Sequence, residues 1–265
     1  MLSVCATPIG NLDDVTLRVL EELRSADVVL AEDTRHTRGL LERHGIRATL
    51  LSYHEHNEAA RVAELVPRLA AGERIALVTD AGMPLVSDPG ARLVRAALDA
   101  GVPVTVLPGP SAVETALVAS GLGGGRYAFV GFLPRKRGEL EALWRETAGW
   151  GCVLVAFESP QRLPASLRSL AAFDGAREAA VCRELTKKFE EVARGTAAEL
   201  ADRFAEPPKG EITLVVGAGA ASLDVAGALA AVEELVAAGT PRRAAADVVA
   251  RLSGTARNTL YRGTL

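Results

Sequence analysis

Thr79-Asp80-Ala81-Gly82-Met83-Pro84-Leu85-Val86-Ser87-Asp88-Pro89-Gly90 follows the apolar run Ile75-Ala76-Leu77-Val78 and precedes a helical pattern that begins near Ala91. A β-branched, apolar run of that length reads as a buried strand. Two glycines and two prolines after Thr79 give a tight, rigid path, and Asp80, Ser87 and Asp88 supply polar contacts. In open α/β sheets, ligands bind at the carboxyl ends of strands, where this loop lies. It contains neither a Walker loop nor a G-x-G-x-x-G turn, so the pattern points to a ligand other than a dinucleotide.

Apolar runs at 2–6, 27–31 and 103–107 read as further buried strands, and with 75–79 they predict a mostly parallel sheet. Residues 15–23 and 59–69 carry apolar positions at helical spacing, and Pro110-Ser111-Ala112 opens another predicted helix that continues to about Ser120. Gly121-Leu122-Gly123-Gly124-Gly125 interrupts the pattern, which sets an N-terminal α/β domain at 1–120. A second α/β domain, 121–218, holds predicted strands at 127–132, 152–157, 179–184, 191–194 and 212–216. A linker reading over 217–222 leads to a helical domain, 219–265, with helices near 224–238, 241–252 and 255–261. A turn at Ser253-Gly254 makes the last two resemble a helix-turn-helix, and a three-helix cap fits equally.

The 265 residues carry 49% hydrophobic and 24% charged side chains, as in an ordinary globular protein. Aromatics make up only 4%, too few for a base-stacking platform. No run approaches the ~20 apolar residues of a membrane span. Cys5, Cys152 and Cys182 form no C-x-x-C pair and read as buried, inert thiols of a reducing cytoplasm, so no metal site is expected. Net charge is −3, yet residues 241–265 hold Arg242, Arg243, Arg251, Arg257 and Arg262 against Asp247 alone. A basic tail on an acidic body points either to nucleic acid or to a solvated helical face.

Other loops resemble the central one. Thr7-Pro8-Ile9-Gly10-Asn11, Pro108-Gly109-Pro110-Ser111 and Glu158-Ser159-Pro160 each follow a strand, and Pro207-Pro208-Lys209-Gly210-Glu211 precedes one. Parallel strands place their carboxyl-end loops on one rim, so the first three should converge. Alternatively Pro89, Pro110 and Pro160 are first-turn helix residues, with Asp88 and Ser159 as N-caps. Capping leaves Asp80, Gly82 and Pro84 unexplained. His54 and His56 alternate as metal ligands on a strand would, but Asn57 and Glu58 suit a helix start. Arg183-Glu184-Leu185-Thr186-Lys187 is either a charged loop or a cation cluster beside a ligand. Asp33 or Thr34, after the strand ending at Ala31, is a candidate helix cap.

These segments, with Glu32-Asp33-Thr34-Arg35, His56-Asn57-Glu58 and Gly131-Phe132, occur in an order that resembles the tetrapyrrole methylase superfamily, and within it the ribosomal RNA small subunit methyltransferase I branch. The resemblance spans essentially the whole chain. Met83 stands where that branch usually has Thr, Gln161 where it often has His, and Cys182 where it usually has Ala. The resemblance implies S-adenosylmethionine (SAM) in a cleft between two α/β domains. It assigns Pro8, Gly82, Pro84, Val86, Asp88, Ser111 and Ala112 to the cofactor from the first domain, and Phe157, Glu184, Gly210 and Thr213 from the second. It also implies methylation of a cytidine 2′-hydroxyl in small-subunit (16S) ribosomal RNA, as naked RNA or 30S particle, by a cytoplasmic homodimer.

For such a reaction, positioning and a proton acceptor are what the protein supplies. His54, His56, Glu58 and Asp80 are the candidate acceptors. Arg18, Arg35, Lys136, Arg183, Lys187, Arg242 and Arg243 are the candidate RNA phosphate contacts. A tetrapyrrole C-methyltransferase would share the cleft without needing the basic tail. A catalytically silent RNA-binding or assembly protein would show no turnover.

Overall fold

A computed structural model describes residues 1–219, 225–253 and 255–265. Parts of the expected linker over 217–222 and of the Ser253-Gly254 turn lie outside the described residues.

The first sheet joins β1 (Leu2–Cys5), β2 (Val28–Ala31), β3 (Leu50–Ser52), β4 (Ile75–Leu77) and β5 (Val104–Leu107) in the order β3-β2-β4-β1-β5. All four pairings are parallel. Side chains alternate between faces along each strand. Val29 and Ala31 therefore pack with Val19, Leu23, Leu40 and Leu41 of α1 (Leu17–Ser25) and α2 (Thr34–Arg43). Leu30, with Ile75 and Leu77 of β4, packs with Leu65, Leu69, Leu93 and Ala97 of α3 (Glu58–Ala70) and α4 (Ala91–Asp99). β3 is additional to the predicted strands, because three half-buried residues at a sheet edge leave almost no apolar signal.

This order fixes where a ligand can enter. The chain leaves β1 toward α1 on one face and leaves the adjacent β4 toward α4 on the other. A crevice therefore opens between β1 and β4, the switch point at which open α/β sheets bind ligands.

The second sheet holds β6 (Tyr127–Phe132), β7 (Val153–Glu158), β8 (Glu178–Arg183), β9 (Glu191–Thr196) and β10 (Ile212–Val216), ordered β6-β7-β10-β8-β9. β6 and β7 are parallel, and the remaining pairs are antiparallel. One face is covered by α6 (Arg137–Ala148), α7 (Leu163–Phe173) and α8 (Ala197–Arg203) around the fully buried Trp144. The other receives α5 (Ala112–Ser120), whose Val113 and Ala116 pack with Val155, Ala180 and Val215. Although α5 precedes the glycine break at Gly121, it serves as the second sheet's cover, and Ile9 from the first sheet's rim joins the same cluster. Helices α9 (Val225–Ala237), α10 (Arg242–Ser253) and α11 (Arg257–Gly263) share a separate small core around Val232, Ala246 and Leu260.

The helix-start reading of the prolines does not hold. α4 begins at Ala91 with Gly90 as N-cap at φ 131°, so Asp88 and Pro89 lie in the loop before the cap. α7 begins at Leu163, and the Arg162 and Leu163 N–H groups donate to the Ser159 carbonyl, so Ser159-Pro160 is a preceding turn. Pro110 precedes the N-cap Ser111. Asp33 is the N-cap of α2, accepting from the Arg35 N–H. Burial pushes the Cys5 and Cys182 thiols up, to about 12 and about 11. Cys152 is only half-buried, a correction to the expected burial of all three.

Candidate functional site

The loops after β1 and β4 are stitched together by the main chain. Thr7 N–H donates to the Gly82 carbonyl at 2.9 Å, Gly82 N–H returns to the Thr7 carbonyl at 3.1 Å, and the Thr7 hydroxyl donates to the Thr79 carbonyl at 3.0 Å. Gly82 sits at φ 79°, a conformation that glycine adopts without steric cost. Leu85 (φ 74°) and Ser87 (φ 67°) share that left-handed region, as do Glu184 (φ 52°) and Thr186 (φ 64°). Among the described residues these are the four non-glycine positions with positive φ. Each costs ~1–3 kcal/mol, and such strain concentrates at ligand sites. Two loops on opposite sides of one cavity hold all four.

That cavity, about 680 Å³, lies between the two sheets, and its volume suits a cofactor-sized ligand. From the first sheet's rim come Ile9, Glu32, Asp80, the loop 81–83 and 86–88, and Ser111 to Val113. From the second come Phe132, Phe157, Glu158, Ser159, Pro160, Cys182, Leu185 and residues 210–213. Phe157 stacks edge-on with Phe129 and Phe132 at centroid distances of 4.9 and 5.5 Å, an apolar wall.

The opposite wall is acidic. Glu32, Asp80 and Asp88 approach from the ends of β2 and β4, and Asp80 Oδ1 accepts the Asp33 N–H at 3.0 Å. Burial, then the neighbouring charges of Glu32 and Asp80, push the Asp88 carboxyl up to about 7. Burial and Asp80 also raise Glu32. With Asp88 and Glu32 both costly to ionise without a counter-charge, this wall is suited to a cationic ligand.

Of the residues expected at a cofactor, Gly82, Val86, Asp88, Ser111, Ala112, Phe157, Gly210 and Thr213 line this cavity. Pro8 and Pro84 are buried behind it. Glu184 supports the rim: its carboxylate accepts from Glu211 N–H and pairs with Lys187 Nζ, both at 3.0 Å, and these contacts lower its pKa. Gly210 permits this, since at φ 97° a Cβ would lie 2.4 Å from Glu184 Cγ. Of the expected proton acceptors, Asp80 alone lines the cavity. Glu58 is buried at 8% exposure and accepts from the Tyr53 hydroxyl at 2.8 Å and Gly90 N–H at 3.2 Å. It therefore anchors the far end of the central loop. His54 and His56 stack on each other 6.0 Å apart outside the cavity lining. Among the described residues no cluster of His, Cys, Asp and Glu is arranged for a metal ion.

Of the expected phosphate contacts, Arg18 and Arg243 are exposed and Arg242 is half-buried. Arg35 pairs with Asp33, Lys136 with Glu139, Arg183 with Glu191, and Lys187 with Glu184 and Glu211. Sequence reasoning left Glu32, Phe132, Glu158, Leu185 and Glu211 without a site role. Each lies within a quoted motif at a strand end, and strand order is what turns them inward.

Residues 1–201 match the tetrapyrrole (corrin/porphyrin) methylases. A protein of Mesorhizobium japonicum named ribosomal RNA small subunit methyltransferase I is 47% identical across 100% of this chain and 91% of its own length. A protein of the same name from Micromonospora olivasterospora is 45% identical across 98% of this chain and 85% of its own. The crystal structure of the methyltransferase CobJ superposes with a TM-score of 0.63 at 20% identity, over 83% of this chain and 94% of that one, a likeness of fold.

Proposed function

The chain belongs to the tetrapyrrole methylase family and, within it, to the ribosomal RNA small subunit methyltransferase I proteins, and from that premise we propose that it moves a methyl group from SAM to a cytidine 2′-hydroxyl of small-subunit ribosomal RNA. The coarser statement, that it is a methyltransferase of small-subunit ribosomal RNA, follows from the name its relatives share over nearly the whole chain. The observation that supports SAM as the donor is the acidic cavity at the β1/β4 switch point, closed by an apolar wall from the second sheet; the cytidine 2′-hydroxyl rests on the resemblance of the ordered motifs.

The residues present fit SAM. Its volume is compatible with the cavity, and its positive charge matches Glu32, Asp80 and Asp88. When bound, SAM supplies an electrophilic methyl on a sulfonium centre. Gly82, Val86, Asp88, Ser111 and Ala112 grip it from one side, and Phe157, Gly210 and Thr213 from the other. Pro8, Pro84 and Glu184 act behind this layer, holding the loops in shape. A 2′-hydroxyl held at the cavity would accept that methyl, and Asp80, which lines the cavity, would take up the proton it loses and pass it to water. A positioned acceptor of this kind contributes ~10²–10⁴-fold. His54, His56 and Glu58 lie outside that step.

The domains 1–120, 121–218 and 219–265, the homodimer and the cytoplasmic location belong to this proposal. Arg18, Arg242 and Arg243 are its RNA contacts outside the cavity. The test uses labelled SAM with small-subunit particles and with their RNA, followed by nuclease digestion and mass spectrometry of the nucleosides. Label in 2′-O-methylcytidine is expected. Label on a base, or only in an added tetrapyrrole, overturns the proposal.

A further inference from the structure

A second hollow, about 550 Å³, runs between α6 and α7. Arg135, Arg137, Arg145, Arg162 and Arg168 line it, against Glu141 as its acid. Residues 137, 141 and 145 repeat at four-residue spacing, so α6 turns one charged stripe into the groove. Its α7 side is built from Ala165, Ser166, Ser169 and Ala172, small enough to leave the floor low. Two arginines are committed internally. Arg137 Nε donates to Glu141 Oε1 at 2.7 Å, and Arg162 pairs with Glu158 at 2.5 Å while donating to the Leu133 carbonyl at 3.0 Å. Arg135, Arg145 and Arg168 are exposed and form no ion pair among the described residues.

The groove and the cavity flank the β7–α7 connection, with the buried Glu158 between them. Glu158, which Arg162 and the Ser166 hydroxyl hold, lines the cavity together with Ser159 and Pro160. Phe173, 39% exposed, closes the groove's other end and offers a flat apolar face.

We propose that this groove holds the sugar-phosphate backbone of the single-stranded RNA whose ribose is presented to the cavity. The inference rests on the function proposed above. Planar guanidinium groups grip phosphate oxygens bidentately, and three unpaired ones along a trough with small walls match a flexible polyanion. Contacts of this type set position and register and do not read sequence. A net negative protein with an acidic cavity repels RNA in general, so a local basic track also steers the strand to the one rim where it can react. Phe173 stacks on an unpaired base at the end of the track.

The experiment uses the full chain with Arg135, Arg145 and Arg168 all changed to Gln, probed with a twelve-nucleotide cytidine homopolymer and with small-subunit particles. Each lost phosphate contact lowers the slope of log affinity against log salt by ~0.7, so the triple variant should lose about 2 in slope and ~10–100-fold in affinity at 50 mM salt. SAM affinity, read by calorimetry, should stay within about twofold, which also reports folding. The corresponding triple Lys variant should keep the slope, because a point charge still neutralises phosphate. An unchanged slope overturns the proposal. So does lost activity on particles with RNA binding intact, which would assign the groove to a protein of the particle. A reduced slope in an enzyme that methylates no small-subunit RNA would instead leave the groove standing and sink the functional reading.

Discussion

The cavity and the arginine groove share the β7–α7 connection but carry opposite charge under opposite conditions of burial. In the cavity, the half-buried Glu32, Asp80 and Asp88 crowd together, and burial with the two acidic neighbours pushes the Asp88 carboxyl up to about 7. In the groove, Arg135, Arg145 and Arg168 stand in solvent. Buried charge is weakly screened, whereas exposed charge is damped over a Debye length of ~8 Å at physiological salt. The cavity should therefore respond to pH and hardly to salt, and the groove to salt and hardly to pH.

The largest effect is expected from Gly10→Val. Even a Cβ at Gly10 would lie 2.8 Å from the Leu185 carbonyl oxygen and 2.7 Å from Thr186 Oγ1, where loops of the two sheets meet. A valine there should wedge the walls apart and reduce SAM affinity by more than ~100-fold, with groove-dependent RNA binding retained. Calorimetry and RNA titration on one sample check both halves.

Asp88→Asn tests the acidic wall directly. Removing a charged partner of a cation costs ~1.5–3 kcal/mol, so SAM affinity should fall roughly 10–100-fold at pH 8. Stability should move the other way. Folding raises this carboxyl from 3.8 to about 7, so the native state keeps a proton that the unfolded chain releases. Stability thus falls as pH rises between those values, and Asn removes the fall. The variant should melt several degrees higher at pH 8, on the order of 2 kcal/mol, and match the parent near pH 4.

In the unaltered protein, SAM affinity should weaken as pH drops below 7, approaching tenfold per unit as Asp88 takes up its proton. Raising salt from 50 to 200 mM at pH 8 should change it by less than about threefold. The smallest effect belongs to the tail: Arg242→Gln with Arg243→Gln should weaken RNA binding a few-fold and leave SAM binding unchanged. An equal loss in both would show that the helical domain supports the cavity instead.

Much of this organisation was legible along the chain. The strands of both sheets except β3, the convergence of the loops after β1, β4 and β5, and the ligand character of 79–90 follow from apolar runs and glycine-proline chemistry. Glu58 shows where that reading ends. Its motif suggested a reactive acid, yet Tyr53, Gly90 and Arg92 surround it and make it an anchor. Pro89 and Pro160 likewise resembled helix starts, because local preference carries no information about a loop bending into a cavity first.

Sequence alone determined the alternation of strand and helix, the break near Gly121, the rigid loops at strand ends and the basic tail, since periodicity, φ preference and charge count act within a few residues. Tertiary structure decided that β4 lies beside β1, that α5 covers the second sheet, and that Glu32 meets Asp80 and Asp88. It also aligned arginines from two helices into one groove. Strand order and helix packing are settled by burying apolar faces between distant segments, and only that burial fixes which charges stay in water and which do not.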